Sequence, residues 1–238
     1  MDSIWVALIP LPWLKPGPFY QVDPESDVLI IVPANQEPFA PWDISSSVDD
    51  EKHVVAGKHA VSKSGLRIKA SSKHLSLASD VFKKKLRHFS RNTSVQVDGR
   101  IHLNVAQGFD ARAAAIVLNA VHGKAFKTPK SVDLETLAQI AWFADKFQLV
   151  EAVSAYADRW ISRLLGKLPD SYHRELILWI YISHVFGHDE AFKVATKVAA
   201  VYSTGPIKTL GLPIDRRVIG MLTNLSLTGP RAYQLPIH

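Results

Sequence analysis

The chain has 238 residues and a mass of 26.4 kDa, 47% hydrophobic and 21% charged, a composition that buries a core and excludes the disordered, collagenous and low-complexity classes. Cysteine is absent, which rules out disulfides, a thiol nucleophile, thiolate-bound zinc and iron–sulfur ligation together, and points to an intracellular setting, cytoplasmic or nuclear. The net charge of +6 is uneven: residues 1–65 hold four Lys against nine acids, residues 66–100 nine Lys or Arg against two acids, and the rest 15 bases against 11 acids. That polarity suits nucleic acid, a lipid head-group surface or an acidic protein partner.

The first ten residues are apolar but open with Asp2 in place of a basic region, and Pro10 and Pro12 interrupt them early, so they read as mature chain and not as a targeting signal. The longest apolar runs, Val28–Val32 and Ala113–Leu118, fall far short of the ~20 residues of a membrane-spanning helix. Five prolines in the first 26 residues predict extended or turn structure, with a short strand allowed at Ile4–Ile9. Five strand-formers at Val28–Val32, between Asp27 and Pro33, predict a strand buried on both faces. From Pro33 to about Gly65 there is little periodicity, so a long surface loop is expected, with Val54 and Val55 as a weak strand seed.

Leu66–Ala70 alternates apolar and basic residues and predicts a strand whose dry face is Leu66, Ile68 and Ala70. Ser71 or Ser72 then stands ready to cap one helix of about three turns carrying Leu75, Ala78, Phe82 and Leu86. A further strand is expected at 100–105, with Ile101, Leu103 and Val105 on one face. From Ala111 onward the pattern is helical: one helix stopped at Gly123, a second capped by Asp133, and a third carrying Val150, Val153, Ala157, Ile161 and Leu164 and packed antiparallel on the second. Helices near 172–186, 189–202 and 215–225 complete the chain.

Candidate chemistry is sparse. His184 and His188 have the four-residue spacing of zinc peptidases, but Val185 stands where the catalytic Glu belongs and Gly187 ends the helix between them. No nucleophile elbow, dinucleotide turn or phosphate loop is present, so no catalytic, cofactor-binding or metal-ligating residue is assigned and the chain reads as non-enzymatic. Asp23, Glu25 and Asp27 alternate as cation ligands do, without the Gly and closing Glu of a calcium loop, and so read as turn and strand-start residues. Lys83, Lys84, Lys85 and Arg87 form the densest basic run, a contact patch for phosphates or a solvated helix end whose cations suit the dipole. Trp142, Trp160 and Trp179 sit on amphipathic helices and read as core. Ile4, Trp5, Val6, Leu8 and Trp13 have no local core to enter and read as a docking or dimer surface.

Ile68-Lys69-Ala70-Ser71-Ser72-Lys73-His74-Leu75-Ser76-Leu77-Ala78-Ser79-Asp80-Val81-Phe82 resembles the second strand and first helix of the BTB/POZ domain. Asp27-Val28, Val117–Gly123, Ala144-Asp145-Lys146-Phe147 and the paired helices of 134–160 resemble further phrases of that family. Trp179–Phe186 and Gly211-Leu212-Pro213-Ile214 resemble the helical C-terminal extension of its fungal form. The resemblance implies an α+β fold: a Pro-rich segment at 1–22, a BTB/POZ-like domain at 23–165 with a loop insertion at about 33–65, and a helical extension at 166–238. It also implies an adaptor that makes homodimers, or bridges a cullin ubiquitin ligase or a chromatin regulator to something else, with Asp27 in the dimer region and no cofactor. Ser71 and Ser72 stand at the family's His and Arg/Lys positions, so the Asp-plus-base pocket retains Asp27 alone. Leu86–Asn92 contains no Glu, which counts against cullin recruitment. A nucleic-acid-associated transcriptional regulator using residues 66–100 is the alternative.

Overall fold

A computed structural model describes residues 18–34, 38–42, 65–91, 95–203 and 205–228. They form a small mixed sheet and eight α-helices, an α+β fold. The strands are β1 (Phe19–Gln21), β2 (Val28–Val32), β3 (Leu66–Ala70) and β4 (Ile101–Asn104), in the order β1-β3-β2-β4. β2 runs antiparallel to β3 and parallel to β4, and β1 lies parallel to β3 on the outside. β1 is an addition to the expected elements: Phe19-Tyr20-Gln21 is too short for periodicity to reveal, and it forms because Pro18 and Val22 bond the free edge of β3.

The pleat sorts the strand residues by face. Tyr20, Val28, Ile30, Val32, Leu66, Ile68, Ala70 and Leu103 are buried against the helices, and Val105 extends this dry row beyond β4. Arg67 and Lys69 alternate with the dry positions of β3, as expected. Leu29 is also buried, at 3% exposure, while Ile31 is half-exposed. Gly65 enters β3 at φ +65°, where a Cβ would meet the Val32 carbonyl oxygen at 2.6 Å, so only glycine allows the chain this close to the end of β2.

The expected single helix after β3 is two helices, α1 (Ser72–Ala78) and α2 (Asp80–Arg91). Ser79 breaks them with extended backbone, φ −151° and ψ 121°. Its hydroxyl donates to the Phe147 carbonyl and accepts from the Phe82 amide at 3.0 Å, so a tertiary contact starts a new helix. Leu75, Phe82 and Leu86 are buried as the periodicity requires.

Helix α3 (Ala111–Val121) is capped by Asp110, and Gly123 follows its end at φ +66°, the left-handed conformation expected of it. Asp133 caps α4 (Leu134–Lys146) by accepting from the Thr136 amide at 2.7 Å. Helix α5 (Val150–Leu164) folds back on α4 and on α3, burying Val153, Ala157, Trp160 and Ile161. Phe82, Phe109, Phe143 and Phe147 join in an aromatic cluster; Phe82 stacks on Phe147 at 4.9 Å.

Helix α6 (Arg174–Val185) is buried at every position from Leu176 to Ser183. A helix apolar on all sides belongs in the middle of a structure, and α6 packs between α4 and α7 (Asp189–Tyr202), with α8 (Arg216–Thr228) against α7. One hydrophobic core runs from the sheet through α6 to Val218 and Leu222 of α8. Arg174 fastens the segment after β2 to it, donating to the Phe39 and Ala40 carbonyls at 2.8 and 2.9 Å and to Glu135 at 3.1 Å. Among the described residues no helix is long and apolar enough to cross a membrane.

Candidate functional site

The residues singled out by the sequence fall into three places. Ile4, Trp5, Val6, Leu8 and Trp13, the proposed docking surface, lie outside the described residues, as do Val54 and Val55. Asp27 lies at the start of α1. Lys83, Lys84, Lys85 and Arg87 lie on α2, where Lys83 is half-buried and the others are exposed.

The start of α1 gathers several linked polar groups among the described residues. Ser71 occupies the N-cap position but its side chain makes no capping bond, a correction to the expected role of Ser71 or Ser72. The cap comes from Asp27, whose carboxylate accepts from the Ser72 amide at 2.7 Å and the Ser72 hydroxyl at 2.6 Å. A carboxylate here satisfies an orphan donor and faces the positive end of the helix dipole. The amide before it, Ser71 N–H, donates to His122 Nε2 at 3.0 Å.

His122 is buried at the end of α3 and its Nδ1 lies 2.8 Å from the Leu118 carbonyl. A carbonyl accepts only, so Nδ1 carries the proton and Nε2 presents its lone pair to Ser71. Burial, with a smaller contribution from His74, holds His122 below its ordinary pKa, consistent with a neutral ring. His74 stacks on it with centroids 4.8 Å apart and planes 29° from parallel. Asp23 stands 3.8 Å from His74.

Asp23, His74 and His122 offer ligand atoms within 4.8 Å of one another. Two features oppose a metal there. The outward lone pair of His122 is occupied by the Ser71 amide, and stacked rings direct their in-plane lone pairs side by side and not toward one point. As arranged, the three residues join the turn before β2, α1 and the end of α3. Spacing did not reveal this cluster, since Asp23, His74 and His122 come from three distant elements. Tyr20 makes a further cross-tie of this kind, donating its hydroxyl to Asn119 at 2.9 Å.

Of the other two carboxylates in the alternation, Asp23 accepts from the Glu25 amide at 2.9 Å, while Glu25 is exposed. His184 lies in the last turn of α6, whereas His188 caps α7 by accepting from the Ala191 amide at 3.2 Å. Gly187 separates them at φ +65°, so the pair does not share a helix face. Trp160 and Trp179 are core residues, each 1% exposed, and Trp142 packs at the core's edge. Trp42 meets Tyr172 edge-on, with Lys208 Nζ 4.5 Å above its ring.

No protein-family model matches the chain, and no curated protein matches it.

Proposed function

We propose that the chain is a non-enzymatic protein–protein interaction module, a BTB/POZ-like adaptor or scaffold that homodimerises or docks a partner through its N-terminal segment. The observation that carries the proposal is a sequence of elements: the β2–β3 pair, the α1–α2 pair, β4 beside β2, then α3 and the packed pair α4–α5. The phrases of the chain that resemble the BTB/POZ family fall on these elements in that order. Asp27 is tied to the start of α1, so the family position that is retained has a structural partner even with Ser72 in place of a base. The helices after α5 correspond to the extension of the fungal form.

Apolar residues at positions 4, 5, 6, 8 and 13, two of them Trp, are of the kind that anchor protein–protein interfaces. The missing Glu in Leu86–Asn92 argues for a partner other than a cullin. The absence of cysteine fits a cytoplasmic or nuclear setting.

Light scattering after size exclusion, across a concentration range, tests the proposal. The full chain is expected at twice 26.4 kDa, and a chain lacking residues 1–17, which keeps β1 and the buried Tyr20 and Val22 in place, at its single mass and still folded, as a cooperative thermal transition would show. A full chain that stays at single mass and a truncated chain that behaves identically would remove the N-terminal segment from the mechanism.

A further inference from the structure

The face of the sheet turned away from the helices has a chemistry that the adaptor reading leaves unused. The strand register builds two cross-strand rows on it: Phe19, Arg67, Ile31 and Asn104, and Gln21, Lys69, Leu29 and His102. No Asp or Glu occupies any of these eight positions. Asp98 borders the face, but its carboxylate is engaged by His102 at 3.1 Å and lies 3.7 Å from Arg100, and the His102 hydrogen bond holds it below the usual carboxylate pKa.

At the β1 end Phe19 is 54% exposed, with Arg67 Cζ 5.5 Å and Lys69 Nζ 5.6 Å from its ring centroid. At the β4 end a cleft of about 440 Å³ is lined by Ile31, His102, Leu103 and Asn104 from the strands, Gln96 from the turn before β4, and Lys85 from α2. A volume of that size accommodates a small-molecule group. Its Gln, Asn and His offer both donors and acceptors, and its Lys a positive charge. Three inter-strand steps, on the order of 14 Å, separate the two ends.

We propose that this face binds single-stranded nucleic acid, one base stacking on Phe19, the backbone phosphates meeting Arg67, Lys69 and Lys85, and a neighbouring base entering the cleft. Charge complementarity selects a polyanion, since the described residues of the face present cations with no free carboxylate among them. The exposed aromatic ring flanked by cations selects bases over carboxylate side chains, because every base has a π-face to stack and an acidic peptide has none. A shallow sheet face has no projecting helix or ribbon to enter a duplex groove, so the strand it takes is unpaired.

Fluorescence anisotropy with a labelled oligothymidylate, on the full chain at low salt, tests the proposal. The wild type is expected to bind with an affinity that falls linearly in log–log fashion with salt. Phe19→Ala should weaken it about tenfold, the loss of one stacked base. Arg67→Ala with Lys69→Ala should flatten the salt slope by about 1.4, two phosphate contacts on a single strand. Phe19, Arg67 and Lys85 are exposed, so thermal midpoints should hold. Lys85→Glu, on a helix, keeps the test open where a strand substitution perturbs the sheet. Absence of binding at low salt, indifference to all of these substitutions, or tighter binding to a duplex of equal length would overturn it. So would binding of a Glu-rich peptide under conditions where the oligothymidylate does not bind, which would reassign the face to an acidic protein partner.

Discussion

Ser71 and His122, 51 residues apart in the chain, share one hydrogen bond of 3.0 Å from a buried backbone amide to an imidazole nitrogen. That bond exists only while the ring is neutral, and burial keeps it so. Replacing His122 with Ala leaves the buried Ser71 N–H without its acceptor. The expected loss is about 1–3 kcal/mol of unfolding free energy, read from urea denaturation, with His122→Gln recovering part of it because its side-chain oxygen accepts a bond.

The same bond sets a pH dependence. The folded-state pKa of His122 lies below its unfolded value, so the unfolded chain binds the proton more readily and stability rises with pH through this window. The contribution is complete above about pH 6.5, the ordinary His value, and is lost as pH falls through the lower folded value. His74, Asp23 and Lys124 are the neighbouring groups whose charges act on the ring. Urea midpoints at a series of pH values should therefore fall more steeply on acidification for the wild type than for His122→Gln; parallel slopes would show that this residue does not govern the acid limb.

Asp27, the residue that precedes β2, acts as the cap of α1. Asp27→Ala is expected to cost about 1–2 kcal/mol, and Ser72→Ala less, since the Ser72 amide keeps its bond to the carboxylate. A double-mutant cycle should return a coupling of about 0.5–1.5 kcal/mol for the hydroxyl–carboxylate contact. A coupling of zero would mean that Asp27 caps the helix through the Ser72 amide and its charge, with no contribution from the hydroxyl.

How far the chain could be read without coordinates divides along the same lines. Strands β2, β3 and β4 and the caps Asp110, Asp133 and Gly123 depend on neighbours within a few residues, and local pattern is where propensity and periodicity hold their information. Asp110 aside, these were expected where they are found. The break at Ser79 and the capping of α1 by Asp27 depend on Phe147 and on a carboxylate 45 residues before Ser72. Nothing in the spacing of Leu75, Ala78, Phe82 and Leu86 records a carbonyl on a different helix. The cluster of Asp23, His74 and His122 was hidden for that reason too, each residue being unremarkable among its own neighbours.

The continuity of the core across residue 165 makes a prediction about folding units. A fragment ending at residue 165 would expose the face of α4 that α6 covers, together with the contacts of a helix buried on every side. The full chain is expected to unfold in one cooperative transition, and the fragment to be insoluble or to lack a sigmoidal urea curve. Two resolved transitions in the full chain would mean that the helices after α5 form a separable unit.

Tyr181 offers a substitution in the stabilising direction. Its ring is fully buried and its hydroxyl finds no hydrogen-bond partner among the described residues, while burial and the nearby Asp145 push its pKa upward. Removing an unsatisfied hydroxyl without changing the ring's shape removes a desolvation penalty, so Tyr181→Phe should raise stability by about 1 kcal/mol. A loss of similar size would reveal a partner for the hydroxyl.

The parallel pairing of β2 with β4 has a consequence for biosynthesis. β2, Val28–Val32, is one of the two inner strands, yet β4 begins at Ile101, nearly 70 residues later. At synthesis rates of about 5–20 residues per second, Val-Leu-Ile-Ile-Val waits roughly 4–14 s at the ribosome before its second neighbour exists. Until β3 is made both its edges are open, and until β4 is made one of them stays open, which leaves a low-charge segment of the kind that recruits other nascent chains. Asp27 and Pro33 at its two ends then act as gatekeepers, one repelling by charge and one withholding an amide, in the period before the sheet protects itself.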